Sequence, residues 1–415
     1  MGSLPARLSW LWRHKGIFAN REVGADPRLL VDVSAIIKHD AQTGIQRVVR
    51  AVWSELRTRH GEGFDVVPVF ATAQRGYCHA PLDFLHEAAD LSCREPVRAG
   101  PSDRFLGLDF AAQFIPKYRA QLRAWRAAGA SVHLIIYDLL PLIRPEWFTS
   151  AAVAHYRRWF DVVVRDADQA ICISRQVARD LRDQLDTHAP VRRPEIAYLG
   201  MGGDIAASFP STGLGEKVSK LLDRMRFRPT ILMVGTIEPR KGYDAALMAF
   251  EHLWTTGGSE TPDLVIVGKP GWKTAKLQHR IANHPELGTR LHWLDDVSDE
   301  GLCRLYDAAR GVLMASRGEG FGLPLLEAVL HQRFVLARDL PVFREQGLPN
   351  VVYFDDDRRE PLARSILQLT ALGQTKASLT AKLPTWRTNV NALLVDLGLT
   401  PAETEFLRSP VCGGA

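Results

Sequence analysis

Short, unbroken apolar runs alternate along the chain with segments whose apolar positions recur every three or four residues. The runs predict buried strands and the periodic segments predict amphipathic helices. In the first half, Leu29–Val33, Phe64–Val69, Val132–Tyr137 and Gln169–Ile173 read as strands. Ile45, Val48, Val49 and Val52 fall at helical spacing after Thr43-Gly44, and Ser174 stands where a helix N-cap belongs. The second half repeats the pattern more clearly. Strands are expected at Thr230–Val234, Leu264–Val267, Leu291–Leu294, Val312–Met314, Phe334–Leu336 and Val351–Phe354. Helices are expected between them at Tyr243–Trp254, Lys273–Asn283, Glu300–Ala309, Leu323–His331 and Phe343–Gln346. Such alternation predicts an α/β architecture of parallel sheets with helices on both faces.

A length of 415 residues accommodates two domains. A glycine-bearing stretch from Gly200 to Pro229, with one helical segment near Gly215–Arg226, separates the two strand–helix series. The expected division is a Rossmann-like domain at 1–205, a second at 206–380, and a helical segment at 381–415. In that last segment Trp386, Val390, Leu393 and Leu397 form an apolar stripe able to cross back onto the first domain. Two doubly wound sheets bind ligands beyond the carboxyl ends of their strands. A cleft between them can close on two substrates and exclude water.

Composition narrows the function classes. The five cysteines are scattered and lack a C-x-x-C pair, which fits free thiols in a reducing compartment, not a disulfide frame or zinc site. No apolar segment near the N-terminus is long enough for a signal peptide, and no run approaches the ~20 residues of a membrane span. The charge is uneven: residues 1–200 hold 27 Lys+Arg against 22 Asp+Glu, whereas residues 201–415 hold 25 of each. The excess points either to an anionic surface, such as a phospholipid leaflet, or to solvated Arg-rich helix faces. Leu8-Ser9-Trp10-Leu11-Trp12-Arg13-His14-Lys15 has the makings of an interfacial anchor, and equally of a tail. No Arg/Lys stripe with interleaved aromatics is present, so nucleic-acid binding is not expected.

Two segments concentrate the chemistry. The first strand of the second half runs into Gly235-Thr236-Ile237-Glu238-Pro239-Arg240-Lys241-Gly242. A glycine turn followed by Arg-Lys suits a diphosphate, with a guanidinium fork and a point charge side by side. Downstream comes Glu319-Gly320-Phe321-Gly322-Leu323-Pro324-Leu325-Leu326-Glu327. Its glycines let backbone N–H groups approach an anion, and Pro324 suits a first helical turn. Glu319 is then expected in the loop mouth, and Glu327 one turn into the helix on the face that reaches back to that mouth.

Together with Val265-Ile266-Val267-Gly268-Lys269-Pro270-Gly271-Trp272 and Ala337-Arg338-Asp339-Leu340-Pro341-Val342-Phe343-Arg344-Glu345, these segments make the chain resemble retaining GT-B glycosyltransferases of the large family four. The resemblance covers nearly the whole chain. It implies a GT-B fold, with two Rossmann-like domains whose parallel sheets face a central cleft, and a nucleotide-diphosphate sugar as donor. Arg240 and Lys241 would neutralise the leaving diphosphate without a metal ion or other cofactor. Glu319 would contact the donor sugar and Glu327 the ribose. Gly235 and Thr236, with the amides of Gly320, Phe321, Gly322 and Leu323, would line the donor site. Gly44 and Arg47 occupy the acceptor-side loop, where the family commonly carries two adjacent glycines and this chain one. Tyr137-Asp138 stands where polysaccharide-building members usually have His-Asp, and Asp138 would orient the acceptor hydroxyl or take its proton.

The resemblance is strongest to bacterial mannosyl- and rhamnosyltransferases of surface-polysaccharide assembly. It therefore implies GDP-mannose first, and dTDP-rhamnose or a UDP-hexose second, with a glycan or lipid-linked glycan as acceptor. A cytoplasmic protein, peripheral on the inner leaflet, is the corresponding expectation. Asp166-Ala167-Asp168 and Asp355-Asp356-Asp357 are read as solvated turns, and His133 and His155 as structural. Two rival classes stand beside this reading: a glycan phosphorylase, which needs a lysine-bound pyridoxal phosphate, and a non-catalytic scaffold of the same fold.

Overall fold

A computed structural model describes residues 26–40, 43–85, 95–190, 192–258, 260–378 and 383–399. The proposed anchor around Trp10 and Trp12 lies outside these residues. Thirteen strands form two sheets among the described residues. The first contains β1 (Arg28–Asp32), β2 (Asp65–Thr72), β3 (Gly76–His79), β4 (Arg104–Gly107), β5 (Ser131–Ile136), β6 (Gln169–Cys172) and β7 (Glu195–Tyr198). Their order is β3-β2-β1-β4-β5-β6-β7. The second contains β8 (Thr230–Val234), β9 (Asp263–Val267), β10 (Leu291–Leu294), β11 (Gly311–Met314), β12 (Val335–Arg338) and β13 (Val351–Phe354), in the order β10-β9-β8-β11-β12-β13.

The expected α/β architecture is present, with one correction. The second sheet is wholly parallel, but β3 runs antiparallel to β2 at the edge of the first. The cause is local: β2 and β3 are joined by a tight turn around Gly76, too short for a parallel crossover. Strands β3, β4 and β7 were not expected from the apolar runs. Each has four residues, and each carries a glycine or a charged residue at an end.

Strand order sets where the site lies. In the first sheet the order reverses between β1 and β4, and in the second between β8 and β11. At such switch points adjacent connections leave to opposite faces and open a crevice beyond the carboxyl ends. The loops after β8 and β11 contain Arg240, Lys241 and Glu319.

The chain also returns to its first half. The helix Trp386–Asp396 buries Trp386, Val390, Leu393 and Leu394 in the same apolar core as Val49, Val52 and Trp53 of the helix Gly44–Arg57. Asn391 accepts a hydrogen bond from Arg59 at 2.7 Å, and the Gly398 carbonyl accepts one from Arg104 at 3.1 Å. A second link runs the other way: the carboxylate of Glu345 caps the helix Arg175–His188, accepting from the N–H groups of Arg175 and Gln176 at 2.8 and 2.9 Å.

Beneath the first switch point lie two buried acids. Asp32, at the end of β1, accepts from Ser34 N and from the Tyr77 hydroxyl, each at 2.9 Å. Asp109, just after β4, accepts from Ala35 N and Ile36 N at 2.8 and 2.6 Å. Burial outweighs these hydrogen bonds and pushes Asp32 up to about 6 and Asp109 up to about 7. The folded form therefore holds protons that the unfolded chain has released. The stabilisation is fully present below the ordinary value of 3.8 and is lost as pH rises through about 6 and about 7. The expected result is a melting temperature that falls between pH 5 and pH 8. Asp109→Asn flattens that fall in a pH series of thermal melts, and an undiminished slope in this variant refutes the assignment.

Candidate active site

The site is built from two loops of the second sheet. After β8 the chain turns at Gly235, enters a 3-10 turn at Pro239–Lys241, and starts the helix Tyr243–Thr256. After β11 it runs through Arg317-Gly318-Glu319-Gly320 to Gly322, which opens the helix Leu323–Leu330. Gly322 adopts φ 92°, and a Cβ there would lie 2.4 Å from the Phe343 ring. Both conformation and space thus require glycine. The loops are stitched together by a hydrogen bond from Arg317 N to the Arg240 carbonyl, at 2.7 Å.

Glu319 is the centre of this arrangement. Its Oε1 accepts from Lys241 Nζ at 2.7 Å and from Ser316 Oγ at 2.6 Å. Its Oε2 accepts from Arg240 Nη1 at 2.6 Å, and the same nitrogen donates to the Gly318 carbonyl at 2.9 Å. On its other side Arg240 holds Glu238, with Nε and Nη2 each at 3.2 Å. Burial alone would raise the Glu319 carboxyl, but Arg240, Lys241 and the hydrogen bonds outweigh it and hold the group at about 2. Glu319 is therefore an anion at every physiological pH.

The first half closes over these loops. Gly320 lies so close to the end of β5 that a Cβ there would sit 1.9 Å from the Tyr137 carbonyl oxygen. The neighbouring Asp138 accepts from Leu140 N at 3.1 Å, and burial raises its carboxyl above the usual range. At the rim, Trp272 Nε1 donates to the Trp147 carbonyl at 2.9 Å and its ring stacks on Phe148 with centroids 6.0 Å apart.

Between the halves lies a cleft of about 910 Å³. Its wall brings together Arg240, Lys241, Glu319, Asp138, Gly235, Thr236, Gly320, Phe321, Gly322, Leu323, Gly44 and Arg47. Glu327 departs from expectation. Its side chain is buried and absent from the cleft wall, with Oε1 accepting from Arg47 at 2.6 Å and Oε2 from the Tyr306 hydroxyl at 2.9 Å. Arg47 from the other half holds it there.

The structure adds cleft residues that the motifs did not indicate. Lys38 and His39 follow β1, Phe110 and Phe114 follow β4, and His155, read as structural, also lines the cleft. Lys38 Nζ sits 3.5 Å from the Phe114 ring centroid. Recognising β4 in Arg104-Phe105-Leu106-Gly107 would have located the first switch point and with it these residues. Asp166-Ala167-Asp168 is not a simple solvated turn: Asp166 is buried against Arg119 and Arg123, and Asp168 pairs with Arg126 and Arg192, whereas Asp355 is exposed and Asp356 and Asp357 pair with Arg358 and Arg338 in irregular chain. His133 is held between Ser131 Oγ and Gln169 Oε1. Among the described residues, no helix is long and apolar enough to cross a membrane.

Known proteins resemble this chain in sequence and in fold. The family described as glycosyl transferases group 1 matches residues 228–371. A serotype-specific mannosyltransferase WbdA of Escherichia coli is 36% identical over 378 residues, 89% of this chain and 45% of that protein. O-antigen chain mannosyltransferase B of the same species is 41% identical over 101 residues, 24% of this chain and 25% of its own. The chain thus spans under half the length of these curated relatives. Among solved structures, Anabaena Alr3699/HepE in complex with UDP and glucose superposes with a TM-score of 0.57 at 14% identity, covering 90% of this chain and 99% of that one. Sucrose-phosphate synthase from Thermosynechococcus elongatus gives 0.56 at 18% identity, with 90% and 97% covered. These likenesses establish the GT-B arrangement of the fold.

Proposed function

We propose that the chain, whose residues 228–371 match the family described as glycosyl transferases group 1, transfers a mannosyl group from a nucleotide-diphosphate sugar to a hydroxyl of a growing polysaccharide, with retention of anomeric configuration. Residues 206–380 supply the donor side and residues 1–205 the acceptor side. The observation that carries the reading is the Glu319 carboxylate pinned between Arg240 and Lys241 at the second switch point, facing the cleft. The mannosyltransferase relatives support the sugar, and the donor in this reading is GDP-mannose first, with dTDP-rhamnose or a UDP-hexose second.

In this reading the diphosphate lies against Lys241, Arg240 and the amides preceding the helix Leu323–Leu330, whose N-terminus favours negative charge. Glu319 exchanges Lys241 for donor-sugar hydroxyls, which frees the ammonium for phosphate. The bond from the anomeric carbon to the diphosphate oxygen then breaks, and a bond to the acceptor oxygen forms. Asp138 orients the acceptor hydroxyl and takes its proton, a task suited to a carboxyl raised by burial. Lys241 and Arg240 balance the charge that collects on the leaving group, so the step runs without a metal ion.

A thermal-shift panel of GDP, UDP and dTDP with their sugars, followed by NMR of the glycan product, tests this. The expected result is the largest shift with GDP-mannose and a product of the donor's anomeric configuration. Absence of a shift with every nucleotide sugar, or an inverted product, overturns it.

A further inference from the structure

We propose that Arg47 is a gate on the donor site: its guanidinium, carried by the acceptor half, occupies the carboxylate that the ribose hydroxyls of the nucleotide use, so that the nucleotide binds by displacing it. The proposal rests on the reading of Glu327 as the ribose-binding acid.

The geometry is specific. Arg47 comes from the helix Gly44–Arg57 and reaches across the cleft into the second half. Nη1 bonds Glu327 at 2.6 Å and Nη2 bonds Asp299 at 2.8 Å. Asp299 is itself held in place, with Oδ2 accepting from Ser211 N and Oγ, each at 3.0 Å. Arg47 forms part of the cleft wall and Glu327 does not, so the guanidinium stands between the cleft and the carboxylate. A ribose diol cannot reach Glu327 while Arg47 remains there.

The clamp is strong but incomplete. Both acids are largely buried, at 1% and 8% exposure, so removing their cation leaves two uncompensated charges. Yet Arg47 Nε is buried without an acceptor among the described residues, an unmet donor that lowers the cost of leaving. A diol can satisfy Glu327 as the guanidinium withdraws toward Asp299 and solvent. Because Arg47 belongs to the other half, its release also loosens the contact between the two sheets. Donor binding and opening of the acceptor side are thereby coupled through one side chain.

Titration calorimetry with GDP tests the gate. Arg47→Met is expected to bind GDP about tenfold more tightly than the unaltered protein, a coupling of ordinary size. Asp299→Asn, which weakens the hold on Arg47 without touching Glu327, is expected to shift affinity the same way. Arg47→Lys, which cannot fork onto both acids, is expected to fall between. The last two variants carry the test if Arg47→Met does not fold, as judged by thermal melting. Glu327→Gln serves as the control and is expected to weaken binding. If the unaltered protein binds none of GDP, UDP and dTDP, or Glu327→Gln binds as well as it does, the donor-site reading falls and the gate with it. If the unaltered protein binds, Glu327→Gln binds less well, and the Arg47 and Asp299 variants bind no more tightly, the gate alone is overturned.

Discussion

Glu319→Gln is expected to lower kcat for transfer by about 10³-fold while the protein remains folded. The substitution preserves shape and removes charge, so it isolates what the anion does. In the structure that anion receives Lys241, Arg240 and Ser316 on its two oxygens. Neutralising it unbalances a cluster of two cations and two acids, Glu238 being the other. It also removes the negative charge facing the sugar as positive charge develops at the anomeric carbon. Glu319→Ala adds a folding cost of about 3–5 kcal/mol, because Lys241 and one side of Arg240 lose their partner in a buried setting. Lys241→Ala is expected to differ in kind: the donor KM rises together with the fall in kcat, since the ammonium faces the diphosphate both before and during bond cleavage. Steady-state kinetics with purified variants separates the two patterns, and near-normal turnover in Glu319→Gln refutes the role of the charge.

Gly320→Ala is expected to reduce transfer by about 10²-fold through a steric route that leaves every charged group intact. The new Cβ would sit 1.9 Å from the Tyr137 carbonyl and 3.2 Å from Asp138 Cβ. The nearest atom is backbone at the end of a buried strand, so no rotamer change relieves the clash. The two halves must separate by a fraction of an ångström to an ångström, which moves Asp138 away from the loop that carries Glu319. Affinity for a nucleoside diphosphate should survive, because the loops after β8 and β11 belong to one sheet. Gly258→Ala, where no atom lies within 4 Å, is the matched control and is expected to be neutral. Equal turnover in the two variants would show that the closed contact is not used in transfer.

The second sheet was legible almost strand by strand because its central strands β8, β9, β11 and β12 are largely buried on both faces and read as apolar runs, as in Leu264-Val265-Ile266-Val267. The first sheet hid β4 because Arg104 and Gly107 interrupt the pattern, and β7 because none of its four side chains is fully buried. Glu319, Arg240 and Lys241 were legible because their chemistry sits in compact glycine-bearing loops. Gly44 and Arg47 are expected in an acceptor-side loop, but both lie in the first turn of the helix Gly44–Arg57, where Arg47 is the partner of Glu327. Those two lie 280 positions apart, and no local spacing encodes a contact made only when the halves close. Glu345 teaches the same lesson: as sequence it continues a motif, whereas in the fold it caps a helix of the opposite half.

The central claim is that the loops after β8 and β11 grip one nucleotide sugar in the cleft. Hydrogen exchange of the protein with and without GDP-mannose measures this directly. The account predicts slowed exchange in both Gly235–Gly242 and Ser316–Leu323, and loss of that joint protection in Glu319→Gln. Protection confined to one loop, or appearing only outside the cleft, would contradict it.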